Sequence, residues 1–161
     1  MGILNNRRMT TRIRGYPDRI MQMQNSYEKI TKAASTILVN PQGNLVRELA
    51  VFREKLRAIQ LTLSACTYYA ISLKSDINVD ISALESNLAV AHESETSTIN
   101  STILTLKTEL AIVEKTMVEC EDFSRFLQEV ICTLRIIKEE RKIAQLIKLE
   151  KDLAERTKKG G

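Results

Sequence analysis

The side chains in this sequence with a capacity for metal or acid–base chemistry are few and far apart. His92 is the only histidine in the 161-residue chain, and Cys66, Cys120 and Cys132 are the only cysteines. Together they form a Cys3His set of the kind that holds structural zinc tetrahedrally. Such sites draw two ligands from one short turn, whereas these four are separated by 26, 28 and 12 positions. The pattern therefore reads as three small core hydrophobes and a surface histidine. One histidine also excludes a di-iron bundle within a subunit, which needs two Glu-x-x-His units. The spacings of a hydrolase triad, a zinc-protease helix, a phosphate-binding loop and a dinucleotide fingerprint are missing. Glu121-Asp122 and Glu139-Glu140 read as solvated carboxylates on exposed faces. The expectation is no catalytic residue, no metal ligand and no cofactor, and so a non-enzymatic protein.

Anion recognition is the chemistry the residues supply most freely. Arg7, Arg8, Arg12 and Arg14 lie near one end of the chain, with Lys138, Arg141, Lys142, Lys148 and Lys151 near the other. Both groups are candidates for phosphate contacts with nucleic acid or for attraction to an anionic membrane surface. Tyr16 is the only aromatic near the arginines, which gives little for base stacking. Gly2 invites myristoylation, but Asn6 stands where that motif has Ser or Thr. A solvated basic face is the plainer reading of both clusters.

The charge that surrounds these groups is segregated along the chain. Residues 1–74 carry twelve Lys/Arg against four Asp/Glu, residues 75–122 two against ten, and residues 123–161 ten against six. Such blocks pair within a bundle, pair between subunits or face an anionic partner. Five glycines, two prolines and no tryptophan, in a chain rich in Leu, Ile, Glu, Lys and Ala, indicate long helices rather than sheet. An odd cysteine count with no apolar leader after Met1 disfavours a secreted disulfide framework and points to an intracellular protein, cytoplasmic or nuclear. The longest uncharged stretch, 58–73, falls short of the roughly 20 apolar residues of a membrane-spanning helix.

The elements that position these residues follow from apolar spacing. Residues 1–16 lack a sustained stripe and read as a flexible basic arm. Pro17 and Asp18 suit a first helical turn, and Ile20, Met23, Tyr27, Ile30, Ala34 and Ile37 continue at steps of three and four. Asn40-Pro41-Gln42-Gly43 ends this helix, and Asn44 caps the next. Leu45, Leu49, Phe52, Leu56, Ile59, Leu63, Cys66, Ala70 and Leu73 then alternate strictly by four and three. Leu61, Tyr68, Tyr69 and Ile71 add apolar surface off this seam, so the helix is expected to have neighbours on more than one side.

A break is expected at 74–80, where Ser75, Asp76, Asn78 and Asp80 favour caps and turns. A short loop is expected at 92–98. From Ile99 the stripe runs through Leu106, Leu110, Val113, Met117, Phe123, Leu127 and Leu134, with two steps of three near 120–123 that mark either an overwound stretch or a joint. Weaker amphipathicity extends through Ala144, Ile147, Leu149 and Leu153. The fold expected is all-α: an elongated antiparallel helical bundle or coiled coil of three to five helices over 17–158, with residues 159–161 as a disordered tail.

These seams suit a structural or adaptor protein, a scaffold that joins its own copies as a homo-oligomer or a protein partner through residues 45–73 and 99–137. Folding back antiparallel would consume the same surface inside a monomer. The rival function is a small oligomeric nucleic-acid-binding protein, for packaging or RNA sequestration, whose basic ends contact phosphate, or a peripheral protein on anionic membrane.

Overall fold

The structure is a computed structural model that describes residues 7–39 and 49–159, and it is all-helical, with no strand among the described residues. Helix α1 spans Arg7–Val39, α2 spans Leu49–Leu88 and α3 spans Glu93–Lys159. The expected turn at 40–43, the cap at Asn44 and the seam residue Leu45 lie outside the described residues. No helix is long and apolar enough to cross a membrane among the described residues.

The buried positions of α2 explain why it holds together over forty residues. Phe52, Leu56, Ile59, Leu63, Cys66, Ala70, Leu73, Ile77, Asp80 and Leu84 are all buried, and they alternate by four and three without interruption. Neighbours at these spacings share one helix face, so a single stripe of α2 faces the core throughout. The expected break at 74–80 is therefore absent. Polar residues that favour turns in isolation stay helical here because the stripe continues through Ile77 and Ile81, and because Asp76 and Asp80 find partners on α1.

Ion pairs and hydrogen bonds fix the direction of packing. Arg12 meets Asp80, Arg19 meets Asp76 and Tyr69 meets Gln22, so α1 and α2 run antiparallel. Lys107 meets Glu85, Lys74 meets Glu114 and Gln60 meets Gln128, so α2 and α3 run antiparallel as well. Helix α1 consequently lies parallel to α3, with the Tyr27 and Phe123 rings packed edge to face at 6.5 Å. The three helices form one bundle around a common core.

Helix α1 begins earlier than Pro17. Residues 7–16 are helical, not a flexible arm, because the stripe runs backwards from Ile20 through Tyr16 and Ile13 to Met9, with Met9 and Tyr16 buried. Pro17 is thus an interior residue. It leaves the Ile13 carbonyl without its usual donor, at a cost on the order of 3 kcal/mol for an interior proline. Burying Met9 and Tyr16 offsets this at about 1.5–3 kcal/mol per large side chain. Residues 1–6 lie outside the described residues.

The connection between α2 and α3 is tighter than expected. It occupies 89–92, and helix resumes at Glu93, so most of the polar run 92–98 is helical. The Val90 N–H donates to the Asn87 carbonyl at 3.1 Å, and the His92 carbonyl accepts from the Glu95 and Thr96 N–H groups. Glu93 and Glu95 place negative charge at the positive end of α3. Helix α3 then passes 120–123 without a joint and continues to Lys159, on the order of 100 Å in all.

Candidate association surface

Most of the expected association seam is consumed within the chain. Phe52, Leu56, Ile59, Leu63, Leu73, Leu106, Val113, Leu127 and Leu134 are buried in the intrachain core, and Leu49, Leu110, Met117 and Phe123 are half-buried against it. Of the two uses open to these residues, the described structure shows the inward one. The physical reason is the short connection at 89–92, which folds α3 back along α2 so that each stripe covers the other.

The basic residues are not brought together. Arg12 is engaged with Asp80, near the end of the bundle that holds the α2–α3 turn. Lys138, Arg141, Lys142, Lys148 and Lys151 lie on the far portion of α3, beyond Leu134. With Tyr27 beside Phe123, Arg12 lies level with about residue 108 of α3, and the rise from there to Lys138 separates the two groups by about 45 Å. Arg7, Arg8 and Arg14 are exposed on the first turns of α1, and Lys142 lies 3.8 Å from Glu139. No single continuous cationic face joins them among the described residues.

The deepest polar cluster locks α1 onto α2. Asp80 occupies a seam position and is fully buried. Arg12 grips it twice, with Nη2 to Oδ1 at 2.6 Å and Nε to Oδ2 at 3.3 Å, and the buried Tyr16 hydroxyl donates to Oδ2 at 2.5 Å. The hydrogen bond to Asp80 holds the Arg12 guanidinium charged, its pKa pushed upward. Burial, and then the hydrogen bond to Asp80, push the Tyr16 hydroxyl well above its ordinary value. Each carboxylate oxygen is thus satisfied by a donor that keeps its proton, an arrangement that fixes helix register rather than moving protons. Arg19 extends the cluster by pairing with Asp76 at 3.0 Å and lying over the Tyr16 and Tyr69 rings.

The cysteines divide. Cys66 and Cys120 are buried and Cys132 is exposed. The Cys66 thiol donates to the Met23 carbonyl at 3.7 Å, and the adjacent Cys66 sulfur together with burial pushes the Cys120 thiol upward. Both pack as small core groups. His92 is exposed at the α2–α3 connection, and no group of three or more His, Cys, Asp or Glu is placed to hold a metal ion among the described residues.

Two uncovered surfaces remain. The first is the last 25 residues of α3, where no described side chain is buried after Leu134 and Ile136, Ile143, Leu146, Ile147, Leu149 and Leu153 are exposed. The second is a groove between α2 and α3, on the side of α2 away from α1. It runs from Arg57 past Ser64, Tyr68 and Ile71 to Ser82, with Met117, Glu121 and Ser124 on its α3 wall. Sequence reasoning noted Leu61, Tyr68 and Ile71 as off-seam apolar surface, and all three are exposed. It gave little weight to the far end of α3, although apolar residues continue there to Leu153.

Compared with family models, curated proteins and solved structures, the chain matches none.

Proposed function

We propose that this chain is a non-enzymatic structural or adaptor protein, a helical bundle that joins other helical surfaces through the far end of α3 as a coiled-coil-like contact. The observation that carries this reading is the length of α3. It continues 25 residues past its last buried side chain, with six large apolar side chains exposed. Most helical stability in proteins comes from packing an apolar stripe. A contiguous exposed apolar surface on a helix marks a site of association.

The Asp80 cluster and the two buried thiols support the same reading, since they are occupied in holding the bundle together. Amide hydrogen exchange of the full chain tests the proposal. Protection across 139–158 is expected to rise with protein concentration or in a cell extract. Fast exchange of that segment under both conditions overturns it.

A further inference from the structure

Two of the three cysteines meet at one level of the core. Gln60 pairs with Gln128 and Lys74 with Glu114 across the antiparallel α2 and α3. That register sets Cys66 level with about residue 122 of α3, within roughly 3 Å of Cys120 along the axis. Both cysteines occupy inward positions of their stripes and are buried. Packed helix axes lie about 8–10 Å apart and carry their Cα atoms about 2.3 Å off axis. Facing Cα atoms at nearly one level therefore come within roughly 5–7 Å, a span that a disulfide bridges. The two sulfurs are hydrogen-bonded to each other, and Cys66 also donates to the Met23 carbonyl of α1.

The pair is not chemically symmetric. The hydrogen bond with Cys120 outweighs burial at Cys66 and brings its pKa down to about 7, while the same contact and burial push Cys120 upward. A thiolate is the form that attacks oxidants, so Cys66 is the nucleophile of the pair and Cys120 the sulfur that follows. Each also borders a surface groove. Cys66 lines one between α1 and α2 with Met23, Ile30 and Tyr69, and Cys120 lines the groove between α2 and α3 with Thr67 and Tyr68. A solute as small as a hydroperoxide thus has a short path to the sulfurs. The exposed Cys132 stands about 18 Å further along α3, too far to compete for either partner.

We propose that Cys66 and Cys120 are a redox modification site, at which a hydroperoxide converts the thiol pair into a disulfide that ties α2 to α3 within the intact bundle. The Cys66 sulfur attacks the terminal oxygen of the hydroperoxide. An S–O bond forms, the O–O bond breaks, and the leaving oxygen takes the proton that Cys66 gave up, departing as an alcohol or water. The Cys120 sulfur then attacks the Cys66 sulfenic acid. An S–S bond forms, the S–O bond breaks, and hydroxide leaves with the Cys120 proton as water. Two electrons pass from the sulfur pair to the peroxide oxygens, and a dithiol reductant returns them. The new bond closes a loop that contains the α2–α3 connection, so it removes freedom from the unfolded chain and stabilises the bundle.

The test uses the full chain carrying Cys132→Ser, which removes the exposed thiol and with it disulfides between chains. Folded protein is treated with hydrogen peroxide, its remaining thiols are alkylated, and it is digested with trypsin without reduction. The expected product is a chain two hydrogens lighter, with peptides 58–74 and 116–125 joined and released by dithiothreitol. Helix content is expected to stay constant and the thermal midpoint to rise by on the order of 10 °C for a loop of this size. With Cys120→Ala added, dimedone is expected to trap the sulfenic acid of Cys66. With Cys66→Ala added instead, Cys120 is expected to stay unreacted over the time that fully oxidises the parent.

Other outcomes overturn the proposal. Peptides that stay separate in the folded chain and join only in urea make the two thiols inert core fillers. A disulfide that lowers helix content or the midpoint shows that it forms by unpacking α2 from α3. Trapping of Cys120 in place of Cys66 overturns the order assigned to the two sulfurs.

Discussion

Asp80 shows how one side chain decides local structure over several turns. A carboxylate at a seam position costs several kcal/mol of desolvation unless it is paired and hydrogen-bonded, and Arg12 and Tyr16 both reach it from 68 and 64 positions away. Asp80→Ala strips the buried Tyr16 hydroxyl and Arg12 of their partner, and is expected to cost about 2–4 kcal/mol by urea denaturation. Asp76→Ala removes the more exposed pair with Arg19 and is expected to cost under about 1 kcal/mol. Equal losses at the two sites would contradict the role given to burial. Glu109 makes the opposite case. Burial raises its pKa, and its Oε2 has no hydrogen-bond partner among the described residues. A carboxyl group whose folded pKa lies above its unfolded value contributes stability at low pH that is lost as pH rises through the folded pKa. Glu109→Gln is therefore expected to raise the thermal midpoint at neutral pH, with the gain shrinking on acidification through the carboxylate range.

At the scale of elements, Pro17 is the sharpest conflict between local preference and tertiary packing. Pro17→Ala restores a donor to the Ile13 carbonyl and relieves the ring's clash with it, though it also loosens the unfolded chain. A net gain of about 1–2 kcal/mol is expected in chemical denaturation, and a loss would mean that the proline shapes α1 in a way the bundle requires. The same conflict explains what the sequence concealed. Spacing disclosed the stripes of α2 and α3 because apolar side chains at steps of three and four have one physical use. The start of α1 was hidden because proline is the usual first-turn residue, even though Met9, Ile13 and Tyr16 continue the stripe behind it. The stretch 74–80 resembled a turn because partner residues on α1 do not show in local composition. The groove was half visible, as apolar residues off the seam, but its α3 wall depends on a register set by pairs such as Gln60 with Gln128. Whether the seam would close on this chain or on a partner was not legible, because both uses bury the same side chains.

For the whole molecule, the division between a packed body and a projecting helix separates two kinds of stability. No side chain in 139–158 is buried against the body, so the intrachain core ends with Leu134 and its nearest neighbours. A chain ending at Lys138 is expected to melt within about 2 °C of the full chain when both are dilute, since it loses no core contact. Concentration should then divide them. A partner that binds only the folded state adds stability by mass action, so the full chain's midpoint is expected to climb as its concentration increases. The shortened chain has lost the segment, and its midpoint is expected to stay flat. Scanning calorimetry over a wide concentration range reads both quantities at once. A shortened chain that melts much lower when dilute would show that the far end of α3 supports its own bundle, and parallel curves would show that α3 ends in a helix with nothing to join.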